Sequence, residues 1–350
     1  MMREVAIVSF AQSTSPRDTR NEVEFLMPVV QEAVRAAKLP RAEIGFTCSG
    51  SSDYLQGQSF AFVGALDAVG AWPPIKESHV EMDGAWALYE AWIKIQTGDV
   101  DSALVYSFGK SSSGDLAEIL ALQLDPYTML PLWPDAHSLA AIQARAFLEA
   151  TGKSERDLAA VVARSRRDAV ANPHAVVSGS VDIEKLLAEP YVCSPLRAHD
   201  LPPITDGASA MVVVAGEKAR ELCARPVWIR GFDHRIEPLG LGLRDLSRSA
   251  STEIAAAKAG VHAGRVDFAE LHAPYSHQEL ILRAALGLGE GVAINPSGGA
   301  LASHPYMAAG LVRIGEAAQR IAAGRGDRAV AHATQGPCLQ QNLVCVLEGD

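Results

Sequence analysis

Apolar and polar positions along the chain alternate between two periods, and the switches between them outline the elements. Residues 4–11, EVAIVSFA, alternate and are rich in Val and Ile, which predicts a strand. Residues 22–38, EVEFLMPVVQEAVRAAK, place apolar side chains at helical spacing, interrupted by Pro28. FTCSG (46–50) reads as a short strand ending in turn residues, followed by a small-residue helix around 59–67. A strand at 77–81, a helix at 84–97 and a strand at 102–108 complete a β-α-β-α-β-α-β order. That order predicts a mostly parallel sheet covered by helices.

The rhythm breaks between 109 and 205, a stretch holding Pro126, Pro131, Pro134, Pro173, Pro190, Pro195, Pro202 and Pro203. Two helices stand out in it, 136–151 and 154–171, and the whole reads as an excursion over one face of the sheet. ASAMVVVAG (208–216) returns to strand. The second half then repeats the first, with strands at 227–234, 267–275, VAINP, 328–333 and 342–349, and helices at 250–260, 277–287 and 304–323. An internal duplication accounts for this. Two halves packed face to face predict an α/β fold of five layers, α-β-α-β-α. The expected organisation is an N-terminal half at 1–110 completed by 206–220, an inserted domain at 111–205, and a C-terminal half at 221–350.

Composition narrows the function classes. The net charge of −10 argues against a nucleic-acid partner. The opening MMREVAIVSFAQ is too short and polar for a signal peptide. No apolar run reaches the ~18–20 residues a membrane span requires, so a soluble, cytoplasmic protein is the expectation. The five cysteines, Cys48, Cys193, Cys223, Cys338 and Cys345, form no C-x-x-C pair, so no metal site is expected.

Ligands of duplicated α/β proteins bind where strand ends meet helix starts, and three stretches fit. In VEMDGAWALYEAW (80–92), Gly84 and Ala85 offer backbone N–H groups at a helix start, and Glu81 is a candidate proton carrier. Asp83 reads better as a helix cap. In ELHAPYSHQEL (270–280), His272 and Tyr275 are candidate donors or proton carriers. There Ser276 and Glu279 suggest a capping box, and His277 is expected at the surface. In NPSGGALASHPYMAAGL (295–311), Gly298 and Gly299 let backbone approach a ligand. His304-Pro305 is expected to open the long helix behind a Ser303 cap, with the helix start lowering the imidazole pKa.

These blocks together resemble the thiolase superfamily. INPSGGALASHPYMAAGL looks like its Gly-His-Pro block, and ELHAPYSHQEL resembles the His-Asp-Cys-Phe segment of sterol-carrier-protein-type thiolases. PITDGASAMVVV (203–214) resembles the Asp-Gly-Ala strand after the family's insertion. HVEMDGAWALYEAWIKIQTGDVDSALVYSFGKSS aligns with the nucleophile helix and next strand. The resemblance implies a thiolase-like duplicated fold with an inserted loop domain, a CoA thioester as substrate rather than a bound cofactor, and at least a homodimer. It assigns catalytic roles to Glu81, His272, Tyr275, His304 and Cys338, and ligand contact to Gly84, Ser297, Gly298 and Gly299.

The departures redirect the expected chemistry. Where the family carries Cys-x-Ser-Gly, this chain has Glu81-Met82-Asp83-Gly84, so the acylated cysteine is missing. Ala273, Pro274 and Tyr275 replace the family's Asp, Cys and Phe. Such a site resembles the lipid-transfer-protein-type aldolases of bacterial steroid side-chain breakdown, which cleave β-hydroxyacyl-CoA esters and pair with a DUF35 (zinc-ribbon plus OB-fold) protein. The expected activity is retro-aldol cleavage without an acyl-enzyme. Two alternatives stand beside it: an acetyl-CoA acyltransferase using Cys338, and a non-catalytic subunit that binds a CoA ester or scaffolds a partner.

Overall fold

The computed structural model describes residues 3–350. Its strands are β1 (Val5–Ser15), β2 (Phe46–Gly50), β3 (Glu77–Val80), β4 (Ser102–Lys110), β5 (Tyr191–Cys193), β6 (Leu196–Arg197), β7 (Asp206–Ala215), β8 (Val227–Ile236), β9 (Phe268–Leu271), β10 (Ala293–Ile294), β11 (Arg328–Gln335) and β12 (Gln341–Gly349). β5 and β6 form a small hairpin, and the other strands run in the order β10-β9-β11-β12-β8-β1-β7-β4-β2-β3. The order is a palindrome about the β8–β1 contact. Reading outward from β1 gives β7, β4, β2, β3; reading outward from β8 gives β12, β11, β9, β10. Both halves use antiparallel, antiparallel, parallel, parallel pairing in that sequence. The duplication expected from the sequence is therefore present strand for strand.

The sheet is mixed rather than mostly parallel. In each half the last strand runs back between the first strand and its neighbour. β12 does so after the short turn 336–340, and β7 after the long excursion. A strand returning directly from its neighbour's end, as β12 does, can only pair antiparallel, and β7 takes the same direction across its excursion.

Alternation along the strands sorts side chains into layers. Ala103, Val105, Met211 and Val213 of one half, and Leu343, Cys345 and Leu347 of the other, face a shared core containing the helices Gly84–Gln96 and Ala309–Ala322. Leu104, Tyr106, Phe108 and Val212 face outward onto helix Glu22–Ala37. Val344 and Val346 face outward onto Ala250–Ala259 and Ser276–Ala285. These are the five layers α-β-α-β-α. Helix Glu22–Ala37 runs unbroken through Pro28, held at its start by an Asn21–Glu24 capping box.

The two central helices share one cap. Asp83 Oδ1 accepts from Ala85 N–H (2.9 Å) and Leu311 N–H (3.0 Å), and Oδ2 accepts from Gly310 N–H (2.8 Å). Gly84 N–H in turn donates to Met307 O at 2.9 Å. The approach is close enough to demand glycine: a Cβ on Gly310 would lie 2.5 Å from Asp83 Oδ1.

This clasp corrects the expected start of the last long helix. It begins at Ala309, not at His304, and Ser303 does not cap it. The preceding segment is tied elsewhere: His304 N–H donates to Thr205 Oγ1 (3.0 Å), Pro305 bridges to Thr205, and Met307 adopts a left-handed φ of 70°. Among the described residues no helix is long and apolar enough to cross a membrane.

Replacing Asp83 with Ala leaves three buried N–H groups without a partner. At ~1–3 kcal/mol for each unsatisfied group, Asp83→Ala is expected to lower unfolding free energy by on the order of 3–5 kcal/mol, read as a lower urea midpoint at unchanged slope. A loss under about 1 kcal/mol would show that the clasp does not hold the helices.

Candidate active site

A cavity of about 1440 Å³ opens at the ends of the strands. Its apolar wall is built largely from the excursion, including Leu116, Leu120, Leu124, Leu130 and Pro134. Glu81, His272, Tyr275, His304 and Cys338 all line it, brought from four separate segments.

The centre of the polar wall is a pair of histidines, with His272 Nε2 and His304 Nε2 3.0 Å apart. Thr334 N–H donates to His272 Nδ1 at 3.3 Å. That bond makes Nδ1 an acceptor, so the neutral ring carries its proton on Nε2 and donates it to His304. His304 then carries its own proton on Nδ1. Burial pushes the His272 pKa well below its ordinary value, and the neighbouring His304, His332 and Arg313 add to this. Burial, then the Arg313 charge, pushes His304 down to about 4. The helix start invoked from the sequence is not the cause, because His304 lies five residues before it.

A buried scaffold fixes the pair. His272 N–H bonds to His332 O (3.2 Å) across the β9–β11 edge. Leu271 N–H donates to Asn295 Oδ1 (2.6 Å), Asn295 Nδ2 donates to Glu279 Oε2 (2.8 Å), and Arg164 Nη2 meets Glu279 Oε2 at 2.5 Å. Beside this run, Arg313 pairs with Glu270 at 3.1 Å and donates to Ser297 Oγ at 2.6 Å. Burial raises the Glu270 pKa to about 7, against the pull of Arg313.

Several local expectations change. Glu279 is an ion-pair partner rather than a cap: the helix is capped at Tyr275, where Gln278 reaches back to the backbone N–H. Ser276 Oγ donates instead to Asp200 (2.6 Å). His277 is fully buried, not at the surface, with Nε2 3.2 Å from Gln143 Oε1 and its pKa pushed down to about 3 by burial. Its neighbours in sequence gave no sign of this, because the covering residue comes from the excursion.

The remaining candidates divide. Tyr275 is buried, with its hydroxyl 3.1 Å from His137 Nδ1. Glu81 is half-exposed; Oε1 accepts from Asp53 N–H at 2.7 Å, and Oε2 lies 3.5 Å from His79 Nε2. Cys338 donates its thiol to Leu139 O (3.3 Å), and burial raises its pKa to about 12. Gly84 sits in the seam between the central helices, where a Cβ would meet Ser107 Oγ at 2.4 Å. Ser297 bonds Glu270, Gly298 packs on Ala169 and Ala302, and Gly299 packs on Asn295. None of these four is on the cavity wall.

Sequence reading missed His137, Thr334, Tyr306 and Gln123. Tyr306 Oη donates to Gln123 Oε1 (3.2 Å) and accepts from Gln335 Nε2 (3.3 Å) at the same wall. Tyr306 lies two residues after His304 and was the one with a signal. Asp53, His79 and Glu81 bring potential metal-ligating atoms within 4.8 Å of one another. Their lone pairs already serve the loop, since the Asp53 carboxylate accepts from Phe60 and Ala61 N–H.

A histidine held neutral by folding destabilises the native state wherever the unfolded chain would be protonated. For His304 this penalty is absent above its ordinary value of 6.5, where both states are neutral, and grows as pH falls toward 4. His304→Gln is therefore expected to flatten the pH dependence of stability in that window by up to about 3 kcal/mol relative to the parent protein. Parallel curves for the two proteins would contradict a neutral, buried imidazole.

No family model matches the chain. A benzoylsuccinyl-CoA thiolase subunit, BbsB, of Thauera aromatica is 30% identical over 197 residues, covering 50% of this chain and 51% of the relative. The chain thus spans about half the length of that relative. An acetyl-CoA acetyltransferase of Methanocaldococcus jannaschii is 26% identical over 90% of this chain and 89% of its own length. A 17-hydroxy-3-oxo-4-pregnene-20-carboxyl-CoA lyase of Mycobacterium tuberculosis is 38% identical over 99 residues, 28% of this chain and 26% of the lyase. Among solved structures, an Ltp2-ChsH2(DUF35) aldolase superposes with a TM-score of 0.79 at 18% identity, covering 99% of this chain and 98% of that one. Human mitochondrial 3-ketoacyl-CoA thiolase gives 0.78 at 16%, covering 99% of both. These structures share the fold, and the relatives add sequence similarity over most of the chain: its homologues are thiolases and a steroid side-chain CoA lyase.

Proposed function

We propose that this protein cleaves a carbon–carbon bond of a β-hydroxyacyl-CoA thioester by a retro-aldol reaction, without forming an acyl-enzyme. One observation carries the reading: the neutral His272–His304 pair stands at the cavity wall, while no activated thiol does. The expected nucleophile position holds Glu81. The Cys338 thiol is buried, bonded to a carbonyl and raised to about 12. Such a thiol has almost no thiolate at neutral pH, which weighs against the acyltransferase alternative.

In the proposed reaction the thioester carbonyl faces the imidazoles. As the bond between Cα and Cβ breaks, its electrons move onto the thioester as an enolate, and the Nδ1–H that the pairing leaves on His304 is the donor available to that charge. The β-hydroxyl loses its proton and becomes a carbonyl, and a proton returns to the enolate carbon. Glu81 and Tyr275 are the wall groups able to exchange these protons. The cavity exceeds the roughly 300–1,000 Å³ of ordinary ligand pockets and is mostly apolar, which suits a bulky acyl group such as a steroid side-chain ester. The lyase relative and the aldolase neighbour support the same direction.

The excursion, 111–205, is assigned to the CoA-ester side, and the working unit to a cytoplasmic homodimer with a separate DUF35-type chain. The solved Ltp2-ChsH2(DUF35) assembly is the support for that partner. A non-catalytic CoA-ester-binding subunit is the reading to which a negative assay would return.

The protein, with a DUF35 partner supplied, is expected to convert a 17-hydroxy steroid side-chain CoA ester into a ketone and a shorter acyl-CoA. His304→Ala and Glu81→Gln should each lower turnover by about 100-fold or more, and Cys338→Ala by less than about threefold. Binding without cleavage in the complete complex sinks the lyase reading. An acyl adduct on Cys338, detected by mass spectrometry, sinks the assignment of a mechanism without acyl-enzyme.

A further inference from the structure

His137 is a titratable group at the cavity wall that neither the resemblance nor the sequence pattern picks out. It lies in the first turn of the inserted helix Ala136–Thr151, whose start is capped by Asp135. Its Nδ1 is 3.1 Å from Tyr275 Oη, with the two rings edge to face. Both side chains line the cavity.

The chemistry of Tyr275 makes this contact informative. Burial raises the phenol pKa beyond its ordinary value, with Cys338 and Asp135 adding to the rise. A buried phenol of that kind does not wait as phenolate. It can accept a proton from a substrate only while giving its own away. His137 has its pKa lowered by burial, with Asp135 opposing, so its imidazole stands neutral and able to accept. The other titratable groups facing the two rings are Cys338, which stays a thiol, and His277, whose ring is 6.0 Å from Tyr275 and also stays neutral. No positive charge among these neighbours would stabilise a lone phenolate.

We infer that His137 is a positioning residue that holds the Tyr275 hydroxyl and takes its proton during the reaction. The inference rests on the lyase reading of the same cavity. In the step it describes, the substrate β-hydroxyl proton moves to Tyr275 Oη as the phenol proton moves to His137 Nδ1. The Cα–Cβ bond breaks, its electrons pass to the thioester enolate, and the oxygen left behind forms the carbonyl. Charge balances as an imidazolium opposite an enolate, with Asp135 beside the imidazolium. The inserted segment thereby supplies part of the proton path as well as the apolar wall.

The test uses the full chain with its DUF35-type partner and the 17-hydroxy steroid side-chain CoA ester. His137→Ala is expected to lower kcat by about 10–100-fold with KM changed by less than about threefold. Added imidazole should restore part of the rate. His137→Gln keeps a hydrogen-bond acceptor and the packing but cannot take a proton, so it should remain slow and lose the acidic limb of the kcat–pH profile. Full activity of His137→Gln with an unchanged profile overturns the inference. If the parent protein cleaves no ester, the lyase reading falls separately, and NMR titration decides the dyad. A His137 midpoint that moves in Tyr275→Phe supports the pairing, and one that stays fixed overturns it.

Discussion

The Asp83 carboxylate, buried where two helices begin, is the interaction on which the site depends. It takes one N–H from the helix of the first half and two from the helix of the second. Helix starts leave N–H groups unsatisfied, and here one side chain answers both ends of the duplication. The clasp also terminates the His304 segment. That segment is anchored at Thr205 on one side and, through Met307 O and Gly84 N–H, at the clasp on the other. The position of His304 is thus set by backbone ties at both ends and not by the geometry of a helix turn.

The electrostatics of the pocket follow from burial. Charged forms of His272, His304, His277 and His332 are all disfavoured by the same desolvation. The buried ion pairs, Arg313 with Glu270 and Arg164 with Glu279, lie behind the wall. Buried pairs of this kind add little net stability, because desolvation offsets their attraction. What they contribute is fixed direction, through Ser297 and Asn295, at the turns that carry the two histidines. At the histidine pair the wall thereby presents neutral imidazole rather than a cation. That suits an intermediate whose negative charge appears only during the reaction.

Periodicity carried most of the fold. Strands such as β4 and β7 and helices such as Ala136–Thr151 lie close to where the apolar spacing places them. The failures share a cause. The His304-Pro305 dipeptide has the local form of a helix start, but ties to Thr205 and Asp83, residues far away in sequence, override it. Ser276 and Glu279 have the spacing of a capping box, yet Asp200 and Arg164 claim their side chains. His277 looks solvated until the inserted helix covers it with Gln143. Gly298 and Gly299 looked like ligand-facing glycines and are packed against Ala169 and Asn295. Each error concerns a partner at least 76 residues away or across a turn, where local pattern has no reach. His137 was invisible for the same reason: nothing in its own helix signals a tyrosine 138 positions on.

The replacement of cysteine by Glu81 can be weighed against simple loss of function by asking what the rest of the wall costs. Burying an imidazole without charge and without release to water is unfavourable unless its nitrogens are used. Here His272 has both ring nitrogens engaged, one by Thr334 and one by His304. Tyr275 and Tyr306 are likewise held, by His137 and by Gln123 with Gln335. A wall with both tyrosine hydroxyls and the histidine pair engaged around an open cavity is a costly arrangement for a scaffold that only needs to be covered. Apolar residues would fill the same space more stably. On the proposed lyase reading, the polar wall holds a carbonyl and moves a proton, and the carboxylate in place of the thiol removes only the acyl-carrying step from that set.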